Sequence, residues 1–405
     1  MSVCRTVALT ALAFIFVCHA SGQEMTEQDV LKQFMERSPQ ATALRARIPV
    51  TRAESHLQIL APNPAVTASR EDVGGVKDQF LTAEQSLPIS GRLGLLKRAG
   101  KEAVSAAEQQ TKYDLLLLRA EVRLAFYELL AAQQREAIAT QSTVGLREIV
   151  RVLREREKVG EGSGYDALRA ERELADTEAL LNAEKLNVAT TRNRLSQFLT
   201  GGAGQLIAKG ELLPGPELPS VQDLIARATS GRGDIVAQQR TVSRFAFEQR
   251  AAERQRIPEP TVLAGLKRTS TPGFVDNGYV ATVTVPLPLF NRGQTDADRA
   301  RALRERTESD RAVLVRQVEA EVRSAYDAVV LRRNASAEYR KSAAGAADLS
   351  NIARLSYQEG ERGILELLDA QRVAVGAQVR TVELSFDMKK AEIELGRAVG
   401  EEVLP

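Results

Sequence analysis

Charged side chains that could do chemistry gather at two glycine-rich turns, two hundred positions apart. The stretch from Gly160 to Arg172 and the stretch from Gly360 to Arg372 share glycine, glutamate, an acidic residue, alanine and arginine at equivalent positions. Guanidinium groups can pair with carboxylates, and exposed carboxylates attract cations. No nucleophile motif, phosphate loop or histidine accompanies these carboxylates. The sequence therefore predicts a protein that is not an enzyme and has no catalytic residues.

The cysteine and histidine content argues against a resident metal or cofactor. The chain has two cysteines and two histidines. Cys4, Cys18 and His19 lie in residues 1–22, a segment that is expected to be cleaved off as a signal peptide, as described below. The remaining histidine, His56, lies in a charged stretch where a surface position is expected. Thiolate and imidazole ligand sets for zinc or copper are therefore excluded, and no metal or cofactor site is predicted.

Residues 1–22 have the pattern of a secretory signal peptide. Arg5 precedes an apolar run from Val7 to Val17, and small residues follow from Ala20 to Gly22. The apolar run is too short for a helix that spans a bilayer. Export from the cytoplasm is therefore expected, and a buried core helix is the less favoured interpretation.

The composition favours long helices over a large mixed core. Aromatic residues make up 4% of the chain, whereas alanine, leucine, arginine, glutamate and glutamine dominate, which is typical of coiled coils. The formal net charge is +2, and basic and acidic residues are interleaved along the helical stretches. Because the sequence has no one-signed patch and no aromatic stacking platform, binding to nucleic acid is not expected.

Proline positions separate helical from non-helical parts of the chain. No proline lies between Ile89 and Leu213, or between Leu289 and Leu404, and an interior proline would break a helix. We therefore predict helices at 92–158, 165–199, 293–358 and 364–399, with earlier helices at 26–59 and 221–256. The longest of these would each extend for about 100 Å.

The second half of the chain repeats the first. Ala120-Glu121-Val122-Arg123 recurs as Ala320-Glu321-Val322-Arg323. An apolar seam with coiled-coil spacing recurs around these segments: Leu115, Leu118, Val122, Ala125 and Leu129 are matched by Val315, Val318, Val322, Ala325 and Val329. We infer a tandem duplication, with repeat 1 at 23–202, a linker at 203–219 and repeat 2 at 220–405. A short strand is expected near 206–212.

Four segments between the prolines lack a helical period, at 65–71, 79–87, 261–268 and 278–286. Each is rich in Val, Thr and Ala with partial alternation, which is typical of strands. Turn-forming residues join each pair: Gly74-Gly75 in the first, and Pro272-Gly273 with Asp276-Asn277-Gly278 in the second. Isolated hairpins are marginal in water, whereas membrane barrels use strands of about 9–11 residues with one apolar face. Small hairpins packed on the helices are the alternative.

Together these features resemble the TolC-type outer-membrane efflux proteins over essentially the whole chain after residue 22. The resemblance is most specific at the hairpin exits, Leu87-Pro88-Ile89 and Leu287-Pro288-Leu289, and at the glycine turns with the segments that start at Asp166 and Glu366. The form Gly160-Glu161-Gly162-Ser163 is most similar to the branch that serves heavy-metal exporters of the cobalt–zinc–cadmium type.

The resemblance implies a mainly α fold with a small β part, assembled as a homotrimer. Four strands from each of three chains would close a twelve-stranded barrel in the outer-membrane lipid of a Gram-negative bacterium, and the helices would continue as a periplasmic α-barrel. It also implies two protein partners, a periplasmic adaptor and an inner-membrane pump of the RND type. The expected function is a passive exit duct, with heavy-metal cations as the favoured substrate and small organic compounds as the alternative.

The resemblance further implies roles for individual residues at the periplasmic mouth. Asp166, Tyr357 and Arg362 fall on the family's gate network, and Glu366 and Asp369 fall on its acidic constriction. Seven residues of the two turns fall in the adaptor-docking region: Gly160, Glu161, Gly162, Ser163, Gly360, Glu361 and Gly363. Glu161 and Gly162 depart from the family pattern, which has apolar residues there. For each of the charged residues, the alternative is an ordinary solvated position at a helix tip with no functional role.

The main alternative function is a periplasmic coiled-coil adaptor or scaffold without a membrane barrel. An adaptor usually has one helical hairpin flanked by β-rich segments, whereas this chain has two predicted hairpins in tandem and little β structure. A purely structural filament would lack four strand segments at matching positions. The duct is therefore the favoured interpretation.

Overall fold

The computed structural model describes residues 23–200 and 206–403. The predicted signal peptide at 1–22 lies outside the described residues, as do 201–205, which include the start of the predicted linker. The first half contains β1 (Gln23–Met25), α1 (Glu27–Arg37), α2 (Pro39–Leu57), β2 (Ala65–Val73), β3 (Val76–Ser86), α3 (Arg92–Lys158) and α4 (Gly164–Ser196). The second half contains β4 (Leu206–Ala208), α5 (Val221–Gly231), α6 (Gly233–Glu253), a 3-10 turn at Arg254–Arg256, β5 (Thr261–Thr271), β6 (Phe274–Thr284), α7 (Gln294–Gln358) and α8 (Ile364–Val399).

The two halves repeat one order of elements: two helices, a strand pair, one very long helix, a glycine turn and a returning helix. The long helices α3 and α7 contain 67 and 65 residues, so each extends for about 100 Å. The returning helices α4 and α8 pack on α3 and α7 as helical hairpins. The prediction of a mainly α chain with a small β part is confirmed.

Each of the predicted first helices is in fact two helices. The expected helix at 26–59 breaks at Ser38, whose extended backbone and hydroxyl cap the start of α2, while Pro39 takes the first helical position. The expected helix at 221–256 breaks in the same way at Arg232, where the backbone is also extended. A single extended residue is enough to turn the chain, and no loop is needed. Because the apolar period continues on both sides of it, the sequence pattern did not indicate the break.

The hairpin turns are shorter than the sequence suggested. Gly74-Gly75 joins β2 to β3, and Pro272-Gly273 joins β5 to β6, with two residues between the strands in each case. Asp276-Asn277-Gly278, predicted as part of the second turn, lies inside β6 and pairs with residues 267–269 of β5. The ladder of backbone hydrogen bonds therefore prevails over the local turn preference of these three residues.

The two hairpins form one antiparallel sheet of four strands in the order β2-β3-β5-β6. The central pairing joins the two repeats, with Leu81 of β3 opposite Leu266 of β5. Within the described residues β2 and β6 each have a neighbour on one side, so each leaves a row of backbone N–H and C=O groups unpaired. The sheet therefore has two open edges.

A second, two-stranded sheet ties the start of the described chain to the inter-repeat segment. β1 and β4 pair in parallel, with Met25 opposite Ala208. β4 lies at the start of the strand expected near 206–212, whereas β1 was not expected, because three residues are too few for a periodic signal. Met25 and Leu206 are buried in an apolar cluster that also contains Phe126 of α3.

The apolar core is a series of clusters along the helices rather than one globular centre. Beside the small sheet, Phe34, Phe126 and Leu195 are fully buried. A second cluster between α5, α7 and α8 includes Val322 of the repeated seam and Leu395. A third lies at the glycine turns. None of the described helices has the length and apolar character needed to cross a membrane.

Arg232 is a buried cation that joins the second-repeat helices at the break between α5 and α6. It donates to Glu321 of α7 at 2.7 Å and to the Ala398 carbonyl of α8 at 3.0 Å. Its guanidinium carbon also lies 4.8 Å from the centre of the Tyr113 ring in α3, and burial raises the pKa of Tyr113 to about 12. One paired charge thus fixes three long helices to one another.

Glu392 of α8 fixes the inter-repeat segment to the second helical hairpin. Its side chain is 3% exposed, and it accepts from Arg333 of α7 at 2.6 Å and from the Gly215 amide at 2.9 Å. Arg333 also donates to the Pro216 carbonyl at 2.8 Å. Because the buried carboxylate is paired with a cation and a backbone amide, its loss of hydration is offset.

The duplicated helix starts allow a matched test of backbone strain. Gly91 precedes α3 and Gly293 precedes α7, with left-handed φ angles of 75° and 80°. A Cβ at Gly91 would meet nothing within 4 Å, whereas a Cβ at Gly293 would overlap the Ala252 carbonyl oxygen. We expect Gly91→Ala to lower the free energy of unfolding by about 1–2 kcal/mol through strain alone. Gly293→Ala should lower it by more, because the overlap adds to the strain.

Thermal unfolding of the detergent-solubilised variants, followed by circular dichroism, measures this difference. Gly345→Ala is the control, since Gly345 lies inside α7 with open space around it. Alanine there should stabilise the helix by roughly 0.5–1 kcal/mol. Equal destabilisation by Gly91→Ala and Gly293→Ala would contradict the predicted overlap.

Candidate functional site at the paired turns

The two glycine turns end their long helices in the same way. Gly160 follows the end of α3 and Gly360 the end of α7, with left-handed φ angles of 80° and 75°. In each turn the next amide donates at 2.9 Å to a carbonyl near the helix end: Glu161 to Arg156, and Glu361 to Ser356. This is the Schellman ending of a helix, which favours glycine at the left-handed position. Helix termination is therefore a sufficient reason for the recurrence of the two glycines.

The residues predicted for adaptor docking differ in their accessibility. Six of the seven are exposed: Gly160, Glu161, Ser163, Gly360, Glu361 and Gly363. Gly162 is instead packed against α3, because a Cβ there would lie 2.8 Å from the backbone nitrogen of Glu157. Close packing thus requires glycine at this position, and the exposed docking surface consists of its neighbours.

An apolar cluster joins the two hairpins just behind the turns. Leu146 and Leu153 of α3 pack with Ala167 of α4 and with Ile364 and Leu367 of α8. None of the five is more than 4% exposed. The tip of the chain is therefore one packed unit, and the predicted gate residues lie around it.

The predicted gate residues do not form one hydrogen-bonded network within the chain. Tyr357 is half-buried at the edge of the apolar cluster. Burial raises the pKa of Tyr357, while the positive charge of Arg156 opposes the shift and the negative charge of Asp166 adds to it. Asp166 thus influences the ionisation of Tyr357, although the described chain has no hydrogen bond between the two side chains. Arg362 is exposed, and no side-chain hydrogen bond or ion pair engages it among the described residues.

Glu366 and Asp369 lie on the open side of α8. Ile364 and Leu367 face the apolar cluster, whereas Glu366 and Asp369 are exposed. Glu366 is in the first turn of α8, as Asp166 is in the first turn of α4, where the positive end of the helix dipole stabilises a carboxylate. The structure thus places the two predicted constriction residues about one turn apart on an accessible face.

Two bidentate ion pairs at the tip were not predicted from the sequence. Arg154 of α3 donates to both carboxylate oxygens of Glu171 in α4, at 2.6 and 2.5 Å, and this hydrogen bonding lowers the pKa of Glu171. Arg372 of α8 donates to both carboxylate oxygens of Glu173 in α4, at 3.2 and 2.5 Å. Because each pair joins different helices, no spacing within one helix indicates it.

The second repeat cannot form the first of these ion pairs. Arg354 occupies the position equivalent to Arg154, but Gln371 occupies the position equivalent to Glu171. An uncharged amide cannot replace the carboxylate in a charge-assisted, bidentate contact. The α3–α4 turn is therefore held by an ion pair that the α7–α8 turn lacks, and a comparison of the two repeats is the sequence signal that reveals this difference.

The four-stranded sheet has one apolar and one polar face. Residues opposite one another in the register share a face, and so do residues two apart on a strand. Large apolar residues thereby fall on the same face: Val66, Leu81, Leu266, Tyr279 and Val283. Each of them is at least 53% exposed. The other face is mainly Thr, Ser and charged residues, and there Lys267 pairs with Asp78 at 2.8 Å.

Known proteins match both repeats of the chain. A family model for the outer membrane efflux protein family matches residues 30–201 and 224–401. The cobalt-zinc-cadmium resistance protein CzcC of Cupriavidus metallidurans is 25% identical over 355 residues, which cover 84% of this chain and 81% of the relative. The outer membrane efflux protein BepC of Brucella suis is 26% identical over 312 residues, which cover 73% of this chain and 68% of the relative.

The fold is shared with a solved channel. The crystal structure of the Campylobacter jejuni CmeC outer membrane channel matches with a TM-score of 0.76 and 15% sequence identity, covering 93% of this chain and 86% of that chain. The family resemblance inferred from the sequence is confirmed, and the adaptor or scaffold alternative is not supported, because the family model spans both repeats. The chain therefore belongs to the outer membrane efflux protein family, whose members are passive channels of the outer membrane and not enzymes.

Proposed function

We propose that three copies of this chain form one exit duct through the outer membrane and periplasm, and that the duct carries heavy-metal cations out of the cell. The four-stranded sheet with two open edges is the observation that carries the proposal. In lipid every backbone polar group has to be paired within protein. Three such sheets joined edge to edge would close a twelve-stranded barrel and pair all of these groups.

The apolar face of the sheet has the extent that a bilayer requires. An extended chain from Tyr279 to Leu287, along β6 and its exit, is roughly 26 Å long. A strand tilt of about 40° reduces this to roughly 20 Å along the barrel axis, and the chain continues from there to Phe290. The apolar band of outer-membrane barrels is about 25 Å tall and is bordered by aromatic residues. Tyr279 is 86% exposed near the turn end and Phe290 is 91% exposed near the helices, which supports a band bounded at these two levels.

Two helices, α4 and α7, have apolar surface that no other described helix of the chain covers. α4 packs chiefly on α3, and α7 packs chiefly on α6 and α8. Both helices carry exposed apolar residues: Leu168, Leu180 and Leu186 on α4, and Leu349, Ile352 and Leu355 on α7. We infer that α7 of one copy packs beside α4 of the next. This contact would bury apolar surface and close a ring of helices around the periplasmic part of the duct.

The tip of the chain is proposed as the gate of the duct. Arg362 is unpaired within the described chain and so is available to a carboxylate of a neighbouring copy, beside Asp166 and Tyr357. The ion pair of Arg154 with Glu171 stiffens the α3–α4 turn, which the α7–α8 turn cannot copy. The α7–α8 turn lacks such an internal tie, and α8 is held to α4 by Arg372 with Glu173. Opening by motion of the α7–α8 hairpin would therefore break this second ion pair.

Acidic residues at the tip support a cation as the substrate. In a threefold assembly Glu366 and Asp369 would each recur around the duct, and rings of carboxylates favour cations. The similarity to CzcC, a cobalt-zinc-cadmium resistance protein, points to the same class of substrate. The cation would arrive from an RND-type inner-membrane pump through a periplasmic adaptor, docked at exposed turn residues such as Glu161 and Glu361.

Insertion into the outer membrane tests the barrel. Ala83 lies on the apolar face of β3, and its neighbour Thr82 lies on the polar face. We expect Ala83→Arg to destabilise the inserted state by about 2–4 kcal/mol and to reduce the trimer recovered from outer membranes, whereas Thr82→Arg should insert normally. Cell fractionation and the mass of the solubilised assembly measure both. A wild-type periplasmic monomer or dimer would refute the duct, and equal insertion of the two variants would refute the assignment of the faces.

Single-channel conductance tests the gate. Arg362→Ala should raise the conductance of the purified protein in a planar bilayer, because it removes a tie between copies. Arg306→Ala is the matched control, since Arg306 lies near the other end of α7 with 77% of its side chain exposed. Unchanged conductance in Arg362→Ala would make Arg362 an ordinary surface residue, and an equal rise in the control would point to a general effect of charge.

Ion selectivity tests the acidic constriction. Glu366→Gln combined with Asp369→Asn removes both carboxylates and should move the reversal potential in a salt gradient toward zero, because the preference for cations weakens. Glu305→Gln combined with Asp310→Asn removes the same charge from an exposed part of α7 and should leave the reversal potential unchanged. An unchanged potential in the first variant would exclude these carboxylates as the selectivity element.

A further inference from the structure

A row with two arginines borders the apolar face of the sheet at its turn end. Arg70, Gln79, Arg268 and Asn277 lie opposite one another across the four strands. They are two residues along each strand from the row that contains Leu81, so all four lie on the apolar face. Arg70 and Arg268 are two strands apart, or about 10 Å.

Both guanidinium groups lack a partner within the chain. Arg70 and Arg268 are exposed, and neither makes a side-chain hydrogen bond or ion pair among the described residues. On the polar face, by contrast, Lys267 pairs with Asp78 at 2.8 Å and lies 5.1 Å from the centre of the Phe80 ring. Lys267 on the polar face is thus neutralised within the chain, whereas Arg70 and Arg268 on the apolar face are available to an external partner.

The unbalanced charge is confined to one end of the apolar face. One row closer to the turns, Asp72 and Lys77 lie opposite each other, so their charges offset. At the helix end of the four strands the same face presents Gln85, Val262 and Val283, which are not ionisable. Within these strands the apolar face is therefore bordered by net positive charge at the turn end and by uncharged residues at the other.

The space between the arginines combines polar donors with an apolar floor. A groove of about 650 Å³ is lined by Arg70, Gln79 and Arg268 together with Leu81 and Leu266. Guanidinium groups bind phosphate oxygens in a bidentate manner, and an amide donates to hydroxyl or ester oxygens. The leucines are placed to contact acyl chains. This combination matches an amphiphile with a phosphate headgroup.

We propose that Arg70 and Arg268 bind the phosphate-bearing headgroup of a membrane lipid, in the leaflet that meets the turn end of the sheet. The inference rests on the proposed function, because it requires the apolar face to contact lipid. Charge complementarity identifies the occupant, since an anionic headgroup supplies the counter-charge and its acyl chains cover the leucines below. Bound lipid at one end of the band would also fix the depth of the barrel in the bilayer.

Spin-labelled lipids in reconstituted bilayers test this assignment. The full chain is placed in phosphatidylcholine vesicles with a trace of labelled phosphatidic acid or labelled phosphatidylcholine, and electron paramagnetic resonance measures the fraction immobilised on the protein. Wild type should prefer phosphatidic acid, with about a fivefold contribution from each arginine. The preference should fall in Arg268→Gln and disappear in the double variant Arg70→Gln with Arg268→Gln.

Lys267→Gln is the matched control, since it removes the same charge from the adjacent residue on the opposite face, and it should keep the preference. Equal loss in Lys267→Gln and Arg268→Gln, or full preference in the double variant, would overturn the proposal. Loss of the preference on adding inorganic phosphate at constant ionic strength would assign the arginines to a free anion and would also overturn it.

Conductance of the same vesicles separates failure of this inference from failure of the duct. Wild type that conducts ions without any preference for phosphatidic acid would refute the lipid site and leave the barrel intact. Wild type that neither inserts nor conducts would overturn both proposals. Conduction together with a preference that depends on Arg70 and Arg268 would support both.

Discussion

The unpaired edges of β2 and β6 are the constraint on which the rest of the structure depends. A sheet that turns an apolar face to lipid cannot leave a row of N–H and C=O groups in hydrocarbon, because each unpaired group costs several kcal/mol. Four strands are too few to close a barrel, so in the proposed duct other copies supply the missing neighbours. The helices follow the same logic: their apolar clusters are thin layers between adjacent rods, which suits a wall around a duct better than a solid centre.

The tandem duplication produces two similar helical hairpins, α3–α4 and α7–α8, whose tips differ in the contacts that their side chains make. In the first repeat Gly162 lies tightly against α3, and Arg154 holds Glu171 across the turn. In the second repeat the equivalent of Gly162 is Arg362, an exposed cation, and the ion pair across the turn is absent. One hairpin is thus closed on itself while the other presents a charge to its surroundings. Both long helices end with a left-handed glycine, but two residues later the paths differ, since Arg362 carries a Cβ where one at Gly162 would lie too close to α3.

How much could be predicted from the sequence depended on whether the signal was local. The long helices α3 and α7 were predictable because the lack of proline and the apolar seam act within each helix. The breaks at Ser38 and Arg232 were missed, because one extended residue leaves the surrounding period intact. Asp276-Asn277-Gly278 was assigned to a turn because its preference is local, whereas its pairing with β5 is not. At the tip, the positions of the turns followed from their glycines, but the ion pairs depend on how α4 packs on α3 and how α8 packs on α4. The gate role of Asp166, Tyr357 and Arg362 stays a prediction, because it requires a neighbouring copy.

The arrangement of charge at the tip explains how a carboxylate stays available in a chain so rich in arginine. Hydrogen bonding to Glu173 raises the pKa of Arg372, and the charge of Asp369, one turn earlier on α8, adds to this shift. Both side-chain hydrogen bonds of Arg372 go to Glu173 of α4. Because a bidentate pair fixes the plane of the guanidinium group, Arg372 cannot at the same time turn to neutralise Asp369. The ion pair between α8 and α4 therefore has two effects. It holds α8 in place, and it leaves Asp369 exposed and without a side-chain hydrogen bond among the described residues.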